Sequence, residues 1–120
     1  MKSVQEIVSA AKEKVCEIDT VEAQNLIEAG ALLVDVREPD EYRAGHIPGA
    51  FNIPRGLLEF KIQELQKGGD PSHPICLYCK SGSRAALSFV ALTDMGFQRV
   101  YSLEGGVDNW ESRGLPIGKP

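Results

Sequence analysis

The sequence predicts an α/β domain: a parallel sheet of about five strands with helices on both faces and an extra helix at the N-terminus. The main observation is that short apolar runs typical of buried strands alternate with longer segments of helical periodicity. The second is that 120 residues, 42% hydrophobic and 25% charged, have the size and composition of one folded domain. This composition excludes a disordered protein.

The first helix is predicted over residues 3–14, where apolar residues recur at spacings of three and four. The opposite side of this helix carries both lysine and glutamate, so a helix packed on its own domain is favoured over one that docks on a partner. We therefore expect residues 1–15 to form an amphipathic N-terminal extension and residues 16–120 to form the domain proper.

The remaining elements follow in alternation. Strands are expected at residues 15–18, 32–36, 50–53, 74–78 and 99–103. Helices are expected at residues 20–29, 40–44, 58–65, 84–95 and 107–112. The run L-L-V-D-V in the second strand is apolar on both sides, as in parallel strands covered on both faces. The sequence G-G-D-P at residues 68–71 predicts a turn.

Charge and cysteine content exclude several classes of function. The net charge of −4 argues against nucleic acid and anionic membranes as partners. The longest apolar run, residues 31–34, is far below the roughly 20 residues that cross a bilayer. Glu6 and Glu13 do not fit a signal or transit peptide. Three cysteines do not make a disulfide scaffold, so a cytoplasmic location is expected.

One junction between a strand and a helix carries the candidate chemistry: residues 79–84, C-K-S-G-S-R. Backbone amides in such a turn can converge on the Cys79 sulfur, and the start of the next helix adds a partial positive charge. Gly82 permits the tight backbone, and Lys80 and Arg84 add positive potential. All of these features favour the thiolate form, which is the nucleophile.

The rest of the sequence offers this cysteine no obvious base and no metal. Only His46 and His73 are present; His73 lies between Ser72 and Pro74 in a turn, where a surface residue is expected, and His46 is distant from the loop in sequence. A zinc site needs four ligands, whereas Cys76 and Cys79 form a single close pair. Amides without a base suit a nucleophile that is already anionic and a leaving group that needs no proton. Sulfur transfer meets both conditions, and it requires no metal or cofactor.

Three motifs resemble those of the rhodanese family, in the family's order, and together span residues 16–118. The first motif lies within residues 35–54 and consists of D-V-R-E, E-Y and G-H-I-P-G-A-F-N-I-P. The second is the cysteine loop. The third lies within residues 103–116 and consists of L-E-G-G, a tryptophan and G-L-P. The resemblance implies a single-domain sulfurtransferase of the thiosulfate type. It implies that Cys79 attacks the outer sulfur of thiosulfate, that sulfite leaves, and that amides of Lys80, Ser81, Gly82, Ser83 and Arg84 hold the resulting persulfide.

The resemblance also implies the partners. The sulfur donor is thiosulfate or a persulfide, and the acceptor is cyanide, a thiol or a sulfur-accepting protein. Ser81 stands where some dedicated thiosulfate enzymes of the family have lysine, which argues against efficient use of thiosulfate.

Two alternatives remain at this point. The first is a persulfide relay or protein-interaction module with little turnover on thiosulfate, for which the N-terminal helix could serve as the docking element. The second is an enzyme similar to the phosphatases and arsenate reductases of related architecture. Those enzymes place one more residue between their cysteine and arginine, whereas four residues separate Cys79 from Arg84. The shorter loop favours sulfur over phosphate.

Residues outside the loop receive supporting roles. Asp35 and Arg37, at a strand end, are expected to form an ion-pair and hydrogen-bond brace for a loop that crosses nearby rather than to supply a catalytic carboxylate, and His46 is expected to fix a turn. Arg55 is expected to be an auxiliary contact for the anionic donor. Cys76 is expected in the core, because residues three apart on a strand face opposite sides; the alternative is a thiol that captures Cys79 as a disulfide. Cys16 is expected to be structural.

Overall fold

The computed structural model describes residues 1–65 and 69–119. It contains one parallel sheet of five strands with helices on both faces, so the predicted fold class is confirmed. The strands are β1 (Glu17–Ile18), β2 (Leu32–Asp35), β3 (Phe51–Asn52), β4 (Ile75–Tyr78) and β5 (Val100–Leu103). Their order across the sheet is β1-β5-β4-β2-β3.

Six α-helices lie among the described residues. They are α1 (Val4–Lys14), α2 (Thr20–Glu28), α3 (Pro39–Ala44), α4 (Leu58–Leu65), α5 (Ser83–Asp94) and α6 (Gly106–Ser112). Helices α4 and α5 pack their apolar residues on one face of the sheet, and α2 and α6 pack on the other. None of the helices in residues 1–65 and 69–119 has the length and apolar content to span a membrane.

The central strand β4 explains the two cores. All four of its residues are buried, and their side chains alternate between the faces. Ile75 and Leu77 pack in the core beneath α4 and α5, while Cys76 and Tyr78 pack in the core beneath α2 and α6. Because all strands run parallel, the residues that follow their carboxyl ends lie at one edge of the sheet, where α/β proteins place their sites.

Helix α1 begins with a capping box: Ser3 Oγ accepts from the Glu6 amide, and the Glu6 carboxylate accepts from the Ser3 amide. The helix packs chiefly against α5. Its apolar side is covered only in part, since Ala11 is buried but Val4 and Ile7 are exposed. The division into an extension and a domain therefore stays a prediction.

Element boundaries differ slightly from the predicted ones. Strands β1 and β3 are two residues long, shorter than expected. Both are edge strands with one neighbour, so fewer backbone groups can pair. A short 3-10 helix, Arg55–Leu57, precedes α4 and was not predicted. The predicted turn at residues 68–71 falls partly outside the described residues; within them, the His73 amide donates to the Asp70 carbonyl.

Candidate active site

Cys79 follows the carboxyl end of β4 and lies under the first turn of α5. Its side chain is buried, with the residue only 1% exposed. The Gly82 amide donates to Sγ over 3.1 Å, and the Ala85 amide donates to it over 3.4 Å. Gly82 precedes α5 with φ at 135°, a conformation that favours glycine. Two amides and a helix start are therefore directed at the sulfur, which stabilises negative charge on it.

Within the described residues, the amides that donate to the Cys79 Sγ are those of Gly82 and Ala85. That the amides of residues 80–84 hold the persulfide stays a prediction. Ala85 already belongs to the first turn of α5, whose amides have no partner inside the helix. Ser81 is exposed and Ser83 is half-buried at the helix start.

Arg84 is turned toward α3. Its guanidinium makes two hydrogen bonds with the Glu41 carboxylate, of 2.6 and 3.0 Å. These bonds hold the pKa of Glu41 below its usual range and raise that of Arg84, to which the charge of Cys79 also contributes. The pKa of Glu41 is lower in the folded protein than in the unfolded chain. The stability that this ion pair contributes is therefore present above about pH 4.3 and is lost as the pH falls through the lowered pKa of Glu41.

Lys80 and the backbone of residues 79 and 80 are joined to α6. Lys80 Nζ lies 2.9 Å from Asp108 Oδ2. The Val107 amide donates to the Cys79 carbonyl over 2.9 Å, and the Asp108 amide donates to the Lys80 carbonyl over 3.1 Å. The cysteine loop is thus held between α5 and the first residues of α6.

Gly106 permits this approach. Its φ is +60°, and a Cβ built on it would lie 2.5 Å from both the Cys79 and the Lys80 carbonyl oxygens. We expect Gly106→Ala to displace the loop and to lower the sulfur transfer that the motifs imply by about ten- to a hundredfold, because misplacement on the ångström scale is costly at a reacting atom. The measurement is kcat/KM together with thermal unfolding.

The matched control is Gly96→Ala. Gly96 also has positive φ, of +103°, but a Cβ there would meet nothing within 4 Å. The Gly96→Ala variant should be less stable than wild type by about 1 kcal/mol, and its activity should be unchanged. Equal activity losses in the two variants would show that contact with the loop carbonyls is not the cause.

Asp35 and Arg37 form a buried pair beside this edge of the sheet. Arg37 Nη2 lies 2.7 Å from Asp35 Oδ2, with side chains 8% and 0% exposed. Burial acts to lower the pKa of Arg37, but the hydrogen bonds and charge of Asp35 outweigh burial and raise it. Arg37 Nη2 also donates to the Gly45 carbonyl, and the Tyr78 hydroxyl accepts from the Ile47 amide. The geometry is that of a brace for the chain between α3 and β3.

Among the described residues, neither His46 nor Arg55 makes a hydrogen bond with the Cys79 sulfur. The His46 ring stacks on Tyr42 with centroids 3.7 Å apart, and its backbone pairs with Gly118. These contacts suit a turn-fixing role. Arg55 pairs with Glu59 over 2.9 Å and lines a groove between α1 and α5. Its role as an anion contact therefore has no support from these contacts.

The other two cysteines differ from each other. Cys76 is fully buried on the face of the sheet opposite Cys79, in agreement with the core interpretation. Burial raises the pKa of Cys76 to about 12. Cys16 is exposed, so its side chain supports no core, contrary to the structural role expected for it.

These differences predict an order of alkylation. At pH 8 we expect iodoacetamide to modify Cys16 readily and Cys76 only on unfolding, since Cys16 is exposed whereas Cys76 is fully buried and its thiol pKa is raised. Because the unfolded thiol titrates near 8.5 and the folded one near 12, stability should fall as the pH rises across that window. Peptide mass mapping checks the labelling. Rapid modification of Cys76 in the folded protein would contradict it.

A cleft of about 720 Å³ opens beside the cysteine loop. Its charged lining includes Glu41, Lys80, Asp108, Glu111 and Lys119. Val107, Leu115 and Ile117 supply apolar surface. A ligand approaching the loop from this side meets charges of both signs.

Four of these features were not assigned a role from the sequence: the Ala85 amide, Glu41, Asp108 and Gly106. The motifs E-Y and L-E-G-G contain Glu41 and Gly106, and Asp108 lies two residues after the second motif, but a motif does not show which atoms its residues contact.

Comparison with known proteins supports the family that the motifs resemble. The family model described as the rhodanese-like domain matches residues 19–113. A sulfurtransferase from Allochromatium vinosum is 38% identical over 89 residues, covering 74% of this chain and 79% of its own. The thiosulfate sulfurtransferase GlpE of Actinobacillus pleuropneumoniae is 35% identical over 102 residues, covering 84% of this chain and 91% of its own.

A solved structure extends the likeness over nearly the whole chain. A protein of unknown function from Rhodopseudomonas palustris, described as a possible tyrosine phosphatase, matches with a TM-score of 0.84 at 31% identity. The match covers 98% of this chain and 96% of that one, so it includes the N-terminal helix as well as the sheet.

Proposed function

The chain belongs to the rhodanese-like domain family, and from that premise we propose that it transfers sulfane sulfur from thiosulfate or a related donor to a thiophilic acceptor through a persulfide on Cys79. Relatives named sulfurtransferases support sulfur transfer in general. The observation that carries the proposal further is the environment of Cys79: Sγ accepts hydrogen bonds from the Gly82 and Ala85 amides at the start of α5.

The chemistry follows from that environment. The Cys79 thiolate attacks the outer sulfur of the donor; the bond between the two donor sulfurs breaks, and its electron pair leaves with sulfite. The amides of Gly82 and Ala85 and the start of α5 favour the anion before the attack and the persulfide anion after it. A thiol or cyanide then attacks the terminal sulfur and regenerates the thiolate. Since sulfite and the thiolate leave as anions, no proton donor is needed.

The persulfide relay remains the second candidate, supported by the exposed apolar residues of α1, which offer a surface for a protein donor or acceptor. One structural relative, described as a possible tyrosine phosphatase, favours the phosphatase-like alternative. Against it stands the loop, where four residues separate Cys79 from Arg84 and the Arg84 guanidinium is engaged by Glu41. We also infer a reducing compartment, the cytoplasm, since three cysteines are too few and too odd in number for a disulfide scaffold.

The test is thiocyanate formation from thiosulfate and cyanide, beside sulfur transfer from a protein persulfide and hydrolysis of a phosphate ester. Thiocyanate turnover supports the proposed enzyme. Transfer from the protein persulfide with little thiocyanate would favour the relay. Phosphate ester hydrolysis that vanadate inhibits, without sulfur transfer, would overturn both.

A further inference from the structure

Each cation of the cysteine loop is matched by a carboxylate from another element. Lys80 Nζ lies 3.1 and 2.9 Å from the two Asp108 oxygens. Arg84 makes its two hydrogen bonds with Glu41. The loop therefore presents far less net positive charge to a donor than its sequence indicates.

Asp108 stays beside the loop whatever the Lys80 side chain does. The two side chains are 52% and 62% exposed, so the ion pair alone is easily broken. The Asp108 amide, however, donates to the Lys80 carbonyl, and the preceding amide of Val107 donates to the Cys79 carbonyl. These backbone contacts hold the residue in place, so its negative charge is a fixed property of the site.

We propose that Asp108 is a specificity-determining residue which offsets the charge of Lys80 and so discriminates against doubly charged sulfur donors in favour of singly charged ones. The inference rests on the proposed function. Its physical basis is that the attraction of an anion to the loop is proportional to the anion's charge. A carboxylate beside Lys80 thus costs a dianion twice the free energy that it costs a monoanion.

Two sulfur donors that react in the same way but differ in charge can test this proposal. Thiosulfate carries two negative charges and releases sulfite; methanethiosulfonate carries one and releases methanesulfinate. With either, the Cys79 thiolate forms a bond to the outer sulfur, the sulfur–sulfur bond of the donor breaks, and its electron pair leaves with the sulfur-oxygen anion. The total charge is conserved, and no oxidant or reductant takes part.

The experiment measures kcat/KM for persulfide formation on Cys79 with both donors in wild type and Asp108→Asn. We expect Asp108→Asn to raise kcat/KM about three- to tenfold with thiosulfate. With methanethiosulfonate, which carries half the charge, kcat/KM should rise by about the square root of that factor. The gain should shrink as ionic strength rises, because the charges are exposed.

Two controls make the result specific. Asp94→Asn, at the far end of α5, changes the net charge equally and should change neither rate. Adding Lys80→Gln to Asp108→Asn should return the rates close to those of wild type, since the double variant and the wild-type ion pair carry the same net charge.

Four results would overturn the inference: equal gains for both donors, no gain with thiosulfate, a similar gain in Asp94→Asn, or rates in the double variant that stay as high as in Asp108→Asn. If neither donor places sulfur on Cys79 in wild type, the proposed function fails, and this inference fails with it. Sulfur loading that is insensitive to Asp108 would leave the proposed function intact and overturn only the role of Asp108.

Discussion

Cys79→Ser should lower sulfur transfer at least ~10³-fold, because the covalent carrier of the sulfur is lost. Serine keeps the size of the side chain and can accept the same hydrogen bonds from Gly82 and Ala85. The fold should therefore survive. A hydroxyl is not ionised at neutral pH, so the amides have no anion to stabilise. Thiocyanate formation from thiosulfate and cyanide measures the loss.

Cys16→Ser is the control for this substitution. Cys16 is exposed and lies outside the loop, so its replacement should leave turnover and melting temperature unchanged. Should Cys79→Ser retain a substantial part of wild-type turnover, a different group must carry the sulfur.

Asp35→Asn should destabilise the fold by about 3–5 kcal/mol, because it leaves the buried guanidinium of Arg37 without its counter-charge. In the wild-type protein, the Arg37 side-chain donors contact the Asp35 carboxylate oxygens at 2.7 to 3.1 Å. Asparagine has the same shape, but its side-chain NH₂ group would face these donors in place of one oxygen. For a domain of this size the loss corresponds to roughly 10–20 °C in melting temperature. Thermal unfolding by circular dichroism measures it.

Asp40→Asn provides the matched comparison. Asp40 also pairs with an arginine, Arg43, but both side chains are exposed, at 92% and 61%. Exposed pairs contribute little, so its melting temperature should hardly change. If the two variants melted alike, burial would not be what makes the Asp35–Arg37 pair important.

The fold was predictable because its signal is local. Buried parallel strands such as β4 are apolar on both faces, and α1 carries apolar residues at spacings of three and four. The short edge strands were less predictable, because their ends depend on how far a neighbouring strand continues beside them.

The site was predictable only for groups close to Cys79 in sequence. The position after β4 and the glycine before α5 identified the nucleophile and one of its amides. Glu41 and Asp108 could not be assigned, because they reach Arg84 and Lys80 from elements 43 and 28 residues away in the chain. The role of Gly106 likewise depends on the packing of α6 against the loop, which no local pattern encodes.

The central claim, that Cys79 carries the sulfur, is tested most directly by intact mass spectrometry of wild type and Cys79→Ser after incubation with thiosulfate or methanethiosulfonate and removal of the donor. The account predicts one added sulfur atom on wild type, removed by cyanide, and none on Cys79→Ser. Equal sulfur uptake by Cys79→Ser, or no uptake by wild type from either donor, would contradict it.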